Sequence, residues 1–406
     1  MFQRENKKAC VSLDVSKGSS HVQAFYSVGQ KATDVCVIKH TKSGFEKLNE
    51  IIVALENSTG EKCVVVFECT GVYSKPVENY LQKIGKKYFL IPPLLSAKVR
   101  KSDIRPTKTD SKDCETIANV YFLKKLRPAK PFEKLHDKLK SFCSYYLFLI
   151  NRTSCMKTKY RHYLDNVFPR IDEYFNVYSP FFMDLIIKNP NPQKLKKKTD
   201  EFLYKFITSY DYFGNGKATV FINSFHRYFE DAAIDINEDD AAIDVLSSSA
   251  KKLKEDMKSL DDLLEEIILL GMKTEEYKYL ITIPGMTKNT ASRIAAEVSG
   301  IDRFPTASKF IAYAGIDPTV KESGKMTGEH LPITHKGNQR LRCLFYLVAS
   351  GTSKSKSEAN PVRDFIIKKK SDGLSAKAAI IAGCNKLARI IYAVCSKREP
   401  FSLQNQ

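Results

Sequence analysis

Four acidic residues stand where carboxylates could gather a divalent cation. Asp14 lies inside the run CVSLDV, Glu68 closes the apolar run CVVVF, and Asp110 and Asp113 lie three apart at the start of a helical pattern. Three residues turn a helix through about 300°, so Asp110 and Asp113 share a face. Four converging like charges repel unless cations lie between them. Hard oxygen donors suit Mg²⁺ or Mn²⁺ held together with phosphate oxygens and water, and two such ions about 4 Å apart can clamp both sides of a phosphodiester. Any one of the four, read alone, is an ordinary strand-end or helix-capping acid; it is their joint placement in the strand order that makes them a candidate site. Lys108 and Lys112, with Arg100, Lys101 and Arg105, surround the same helix start and suit phosphate contacts.

A second group lies near the other end of the chain. The turn IPGMT at 283–287 precedes a helical pattern at 290–299, as in a helix-hairpin-helix, where a glycine between apolar residues bares backbone N–H groups that bind a DNA phosphate without reading sequence. Gly285 and Lys288 are its candidate contacts; a simple turn accounts for the same residues. Beyond it, Ser323-Gly324 is expected in a loop, followed by Lys336 and a basic helix with Arg340 and Arg342, further candidates for nucleic acid. Spacing alone assigns Ser323 no chemistry, since Ser-Gly is an ordinary turn dipeptide.

Elements that would position these residues follow from periodicity. Strands are expected at 10–15, 21–28 and 34–40, a helix at 43–57, the buried strand 63–67, a helix at 75–84, a strand at 87–91 stopped by Pro92-Pro93, and a helix at 110–126. The order β-β-β-α-β-α-β-α is that of ribonuclease-H-like nucleases, in which the first and fourth strands are neighbours. That adjacency would bring Asp14 and Glu68 together. From 131 to 275 the chain reads mainly as helices, at 134–175, 200–209 and 241–270, the long ones amphipathic enough to pair as a coiled coil. From 276 to 406 it reads as a compact, mainly helical domain. The fold class is therefore α/β followed by all-α, divided as 1–130, 131–275 and 276–406.

Composition narrows the partner. The 406 residues carry 65 Lys and Arg against 46 Asp and Glu, a net charge of +19. Residues 281–406 hold 20 of the bases and 9 of the acids, so most of the excess sits there. Such a balance favours a polyanion, nucleic acid before an anionic membrane. No apolar run is expected to reach the roughly 18–20 residues that span a bilayer, and the start of the chain has no secretory pattern, which points to the cytoplasm. Ten cysteines show no C-x-x-C or Cys/His pairing, so neither a zinc site nor a disulfide framework is expected.

The segments VSLDVSKGSSHV, FECTGVY, KTDSKDCETIA, ITIPGMTKNTASRIAAEVSGIDRF, FIAYAGIDPTVKESG and THKGNQRLRCLFYLVA resemble those of the insertion sequence 110 family of transposases, over about two thirds of the chain. The resemblance implies a RuvC-like DEDD domain whose tetrad is Asp14, Glu68, Asp110 and Asp113, and a C-terminal transposase domain whose catalytic serine is Ser323. A small residue, often Ala, commonly follows the last acid; here it is Cys114. By the same resemblance Ser323 attacks a DNA phosphate and forms a covalent phosphoserine link, with the Mg²⁺-bearing domain of another subunit completing the site. It further implies double-stranded donor and target DNA, a structured non-coding guide (bridge) RNA, and a dimer or tetramer. Two other readings stand beside it: a RuvC-like metal-dependent junction-resolving nuclease that uses water, and a catalytically inactive nucleic-acid-binding protein.

Overall fold

The structure, a computed structural model, describes residues 7–69, 71–101, 110–126, 128–129, 134–210, 214–319, 322–323, 326–327, 332–354 and 359–403. It divides into two compact units, Met1–Pro131 and Phe132–Gln406.

In the first unit, β1 (Cys10–Ser16) and β2 (Ser19–Ser27) form an antiparallel hairpin, and the outer edge of β2 carries β3 (Gln30–Lys31) and β4 (Cys36–Lys39). The expected strand 34–40 corresponds to β4; β3, a two-residue pairing at the far end of β2, was not expected. After α1 (Lys42–Thr59), β5 (Val64–Glu68) pairs with β1 in parallel; after α2 (Lys75–Lys83), β6 (Tyr88–Ile91) pairs with β5 in parallel. The sheet order is thus β3-β2-β1-β5-β6. Alternation sorts its side chains. Val11, Leu13, Val15, Val65 and Phe67 pack on one face with Leu48, Ile52, Val77 and Leu81. Cys10, Val64 and Val66 face the other way, onto Ile117, Ala118 and Tyr121 of α4 (Asp110–Leu123). A strand covered on both faces must be apolar throughout, which is why β5 reads VVVF.

Sequence reasoning missed α3 (Pro93–Lys101). Pro92-Pro93 does stop β6, but Pro93 is also the first residue of a helix, where its missing N–H costs nothing and its fixed φ is already helical.

The second unit is helical. α5 (Lys134–Val167) ends before the expected 175, where the chain turns through Arg170 with φ 60°. α6 (Pro180–Lys188), α7 (Pro192–Lys196) and α9 (Asn215–Asp231) were not expected; α8 (Asp200–Thr208) and α10 (Ala241–Gly271) were. Two of the missed helices again open on proline. α9 had a legible signal, since Ala218, Phe221, Ile222, Phe225, Tyr228 and Phe229 are buried at helical spacing, but its β-branched and aromatic residues lower helix propensity. α5 and α10 pair antiparallel. Leu139, Cys143 and Tyr146 meet Ile267 and Leu270 at one end, while Tyr160, Leu164 and Val167 join Leu246, Ala250 and Leu253 at the other, where α6 to α9 close over them.

The chain continues through α11 (Glu275–Leu280), α12 (Lys288–Val298), α13 (Ala307–Ala314), β7 (Glu322–Ser323), β8 (Met326–Thr327), α14 (Gln339–Lys354), α15 (Pro361–Ser371) and α16 (Ala376–Lys397). Residues 276–406 share a unit with the helical middle, and Ala296 of α12 packs into the α5–α10 cluster. One expectation is corrected here: α16 is by length and composition apolar enough to cross a membrane. Its Ala379, Cys384, Leu387, Ala388 and Ile391 are instead buried among Phe310, Leu344, Phe345 and Ile366, so its hydrophobicity belongs to a core.

Candidate active site

The acidic residues of the first unit are set by strand alternation. Ser12 lies on the α4 face of β1, its Oγ donating to the Cys114 carbonyl at 2.7 Å. Asp14, two residues on, projects to the same face. On β5, Val64 and Val66 occupy that face and Glu68 follows them. The parallel register pairs Leu13 with Phe67, so Asp14 and Glu68 come next, side by side on neighbouring strands. Buried Ser96 of α3 donates its hydroxyl to Glu68 Oε1, which fixes that carboxylate from behind.

α4 supplies the rest. It packs across β1 and β2, with buried Cys114 directing its thiol to the His21 carbonyl at 3.4 Å. The small residue at this position is thus a packing contact. Asp113, immediately before it, is only 6% exposed, whereas Lys112 is exposed. Asp110 is the first residue of α4, one turn ahead of Asp113; its side chain, like those of Arg100 and Lys101, lies outside the described part of the structure, and Lys108 and Arg105 lie outside it altogether. Among the described residues, no three His, Cys, Asp or Glu side chains are grouped closely enough to hold a metal ion. The carboxylates on this face are nonetheless all hard oxygen donors, the kind an ion of the Mg²⁺ class takes. Sequence reasoning missed His21, which stands directly across the hairpin from Asp14 and so shares its face. An Asp and a His seven apart about a Lys17-Gly18 turn was its signal.

In the second unit Ser323 sits on an excursion from the helical core. The chain leaves α13 through Gly315 in the left-handed conformation and returns at Asn338. Its two legs are joined from the His335 N–H to the Gly315 carbonyl at 3.2 Å, from the Thr334 N–H to the Asp317 carbonyl at 2.9 Å and from the Thr319 N–H to the Pro332 carbonyl at 2.8 Å. Ser323 was expected in a loop; its backbone belongs to β7, opposite Met326 of β8. Its side chain lies outside the described part.

The foot of this excursion is polar and tightly built. Asn338 Nδ2 donates to Glu297 Oε2 at 2.7 Å and to the Tyr313 hydroxyl at 3.1 Å, while its Oδ1 accepts from the Leu341 N–H at the start of α14. A Cβ on Gly337 would stand 2.4 Å from the Tyr313 carbonyl oxygen, so only glycine lets the legs approach. Arg342 donates to the Ala314 carbonyl at 2.9 Å. Arg340 donates to Ser144 Oγ at 2.9 Å and lies 3.8 Å from Glu297 Oε1. Both arginines, singled out for nucleic acid, thus also hold the fold together; Lys336 is exposed. Glu297 and Asn338 were missed because a carboxylate and an amide 41 residues apart carry no sequence signal.

Residues 283–287 form a turn between α11 and α12. Gly285 has φ 86°, and a Cβ there would lie 2.2 Å from Thr352 Oγ1. Asn360 donates to the Pro284 carbonyl at 3.2 Å. The Met286 N–H goes to the Ile283 carbonyl and the Thr287 N–H to Thr290 Oγ1, so this turn spends those amides internally. Lys288, exposed, opens α12.

Four of the buried thiols are poor nucleophiles. Burial pushes Cys63 up to about 11 and Cys143, Cys384 and Cys395 up to about 12, so they stay protonated near neutrality.

Residues 11–169 match the DEDD IS110 family model, described as a transposase, and residues 277–363 match the model described as transposase IS116/IS110/IS902 family. Over 365 residues the chain is 23% identical to the insertion element IS110 uncharacterized 43.6 kDa protein of Streptomyces coelicolor, covering 86% of this chain and 85% of that protein. It is 27% identical to the insertion element IS116 uncharacterized 44.8 kDa protein of Streptomyces clavuligerus, over 30% of this chain and 29% of the other. A pilin gene-inverting protein of Moraxella lacunata is 29% identical over 35% of this chain and 45% of its own.

Proposed function

From the premise that this chain belongs to the IS110 family of transposases and is an enzyme acting on DNA, we propose that it cuts and rejoins DNA strands through a phosphoserine at Ser323, served by a divalent ion on Asp14, Glu68, Asp110 and Asp113. The observation that carries this reading is the placement of Asp14 beside Glu68 on the face covered by α4, inside the segment that matches the DEDD model. The strand order also supports a ribonuclease-H-like, RuvC-like domain at 1–130; in this reading 131–275 is a helical linker and 276–406 a serine transposase domain.

A bound Mg²⁺ or Mn²⁺ supplies charge neutralisation to the scissile phosphate. The chain's own groups do the rest. Asp14, Glu68, Asp110 and Asp113 hold the ion, and Ser96 orients Glu68. Ser323 Oγ loses its proton to a base and bonds to phosphorus as a deoxyribose oxygen leaves and takes up a proton. Reversal on a second strand breaks the serine ester and restores a DNA ester, so each phosphodiester bond is conserved and no ATP is needed. Ser323 lies on the excursion between α13 and α14 and not within a helix, which suits a nucleophile offered to a duplex and to the acidic site of another subunit. In this reading donor and target DNA are double-stranded, a guide RNA selects them, the active species is a dimer or tetramer, and Lys108, Lys112, Gly285, Lys288, Lys336, Arg340 and Arg342 lie along the nucleic acid. The enzyme works in the cytoplasm without a membrane; the packing of α16 into a core supports this.

The test is to incubate the protein with DNA from the element's ends, the element's RNA and Mg²⁺, and to look for a covalent protein–DNA adduct. Wild type forms it; Ser323→Ala and Asp14→Ala do not. Cleavage and joining by Ser323→Ala at the wild-type rate would instead identify a water-using, metal-dependent nuclease.

A further inference from the structure

α5 carries two seams. His136, Leu139, Cys143, Tyr146 and Thr153 are buried and face the core. Two positions further on, about 200° round the helix, runs a second stripe at the same three–four spacing: Lys138, Ser141, Tyr145, Phe148, Arg152, Cys155 and Lys159. It flanks the core seam, and its Arg152 reaches Asp256 of α10. Tyr145 is 53% exposed and Phe148 57%. Their rings stack on each other, centroids 6.0 Å apart and planes 18° from parallel. An exposed, prearranged pair of aromatic faces has a cost in water that core packing does not explain.

Charge indicates what covers it. The stripe holds cations on both sides of the rings and no acid. Lys138 lies over the Phe142 ring at 5.2 Å, about 10 Å along the axis from Tyr145. Arg152, on the other side, is braced by buried Asp256 through Nε at 3.0 Å. A second copy laid antiparallel on this stripe would set the Lys134 end of one helix against Lys159 of the other, cation on cation. A phosphodiester chain has the opposite charge and presents flat bases at its unpaired positions, which stack on aromatic faces whatever their sequence. Duplex DNA hides its bases and cannot do this. We propose that Tyr145 and Phe148 form a stacking platform for an unpaired DNA strand, with Lys138 and Lys159 on its backbone. The partner class rests on the strand-exchange function proposed above, in which DNA must be transiently unpaired.

The experiment measures binding of the full-length protein to fluorescein-labelled dT20, to a 20-base-pair duplex and to rU20. Tyr145→Ala with Phe148→Ala is expected to weaken dT20 binding about 5- to 150-fold, the loss of one stacked base, and duplex binding less than twofold. Tyr145→Phe with Phe148→Tyr keeps both faces and restores the wild-type value. Rings release no counterions, so the salt dependence for dT20 keeps its slope in the alanine variant, while Lys138→Ala lowers the slope by about 0.7. Unchanged dT20 binding, an equal loss on duplex, or a preference for rU20 overturns the proposal. So does a fall in oligomer size by light scattering with dT20 binding intact, which makes the stripe a contact between copies. The serine adduct is scored separately: adduct without ring dependence sinks the platform alone, and ring dependence without any adduct sinks the recombinase chemistry alone.

Discussion

Asn338 concentrates three duties in one amide: it starts α14, closes the excursion that bears Ser323, and donates to Oε2 of Glu297, which is 2% exposed. Replacing it by Asp keeps the oxygen that accepts from Leu341 but turns the donor facing Glu297 into a second carboxylate at 2.7 Å. Two like charges this close beside a buried carboxylate are costly even with Arg340 3.8 Å away. Asn338→Asp is therefore expected to lose about 3–5 kcal/mol of stability, and adding Glu297→Gln, which restores a donor–acceptor pair, to recover most of it; urea unfolding of the three variants checks this. The sequence makes such a residue visible only as a polar letter ahead of a helix. The places of Asp14, Glu68 and Asp113 on their strands and helix were legible because strand period and helix period are local rules. His21, Ser96 and Glu297 were not, because their partners are chosen by register and by packing between distant segments.

At the scale of elements, α14 and α16 each contain a glycine, and identical letters have opposite meanings. Gly351 of α14 is exposed and a Cβ there meets nothing within 4 Å, whereas a Cβ on Gly383 of α16 would lie 2.5 Å from Ile366 Cγ1 of α15. Gly351→Ala is expected to stabilise the protein by about 0.5–1 kcal/mol through reduced unfolded-state freedom. Gly383→Ala gains the same propensity but overpacks a core, and a net loss of about 1–2 kcal/mol is expected; thermal unfolding of both variants separates the cases. The prolines divide in a similar way. Pro93 is a breaker in the sequence reading and a helix starter in the fold, and Pro180 and Pro192 open helices in the same way, because proline ends one element by the same fixed φ with which it begins the next.

For the whole molecule, one buried pair ties the start of α5 to α11 within the second unit. His136 and Glu276 are each 6% exposed and lie 3.2 Å apart. Burial pushes the Glu276 carboxyl up, but the His136 hydrogen bond, together with the backbone N–H groups of Glu276 and Gly300, outweighs it and holds the group below its usual value. A carboxyl depressed on folding contributes stability that is present above its unfolded value, near 4.3, and is lost as the pH falls through the lower folded value. Glu276→Gln is expected to be less stable at pH 7 and to show a flatter loss of stability between about pH 5 and 3, read as urea midpoints against pH. The sequence by itself determined the basic balance, the alternation of the first region, the long amphipathic helices and the ordered motifs at both ends, since each is written in residue types and short periods. It took the packed fold to show that Asp14 and Glu68 share the α4 face, that apolar α16 is a core helix, that Arg342 braces the foot of the excursion bearing Ser323 and that Arg340 ties α14 to α5. Those outcomes depend on which distant surfaces exclude water from one another, and no local period encodes that.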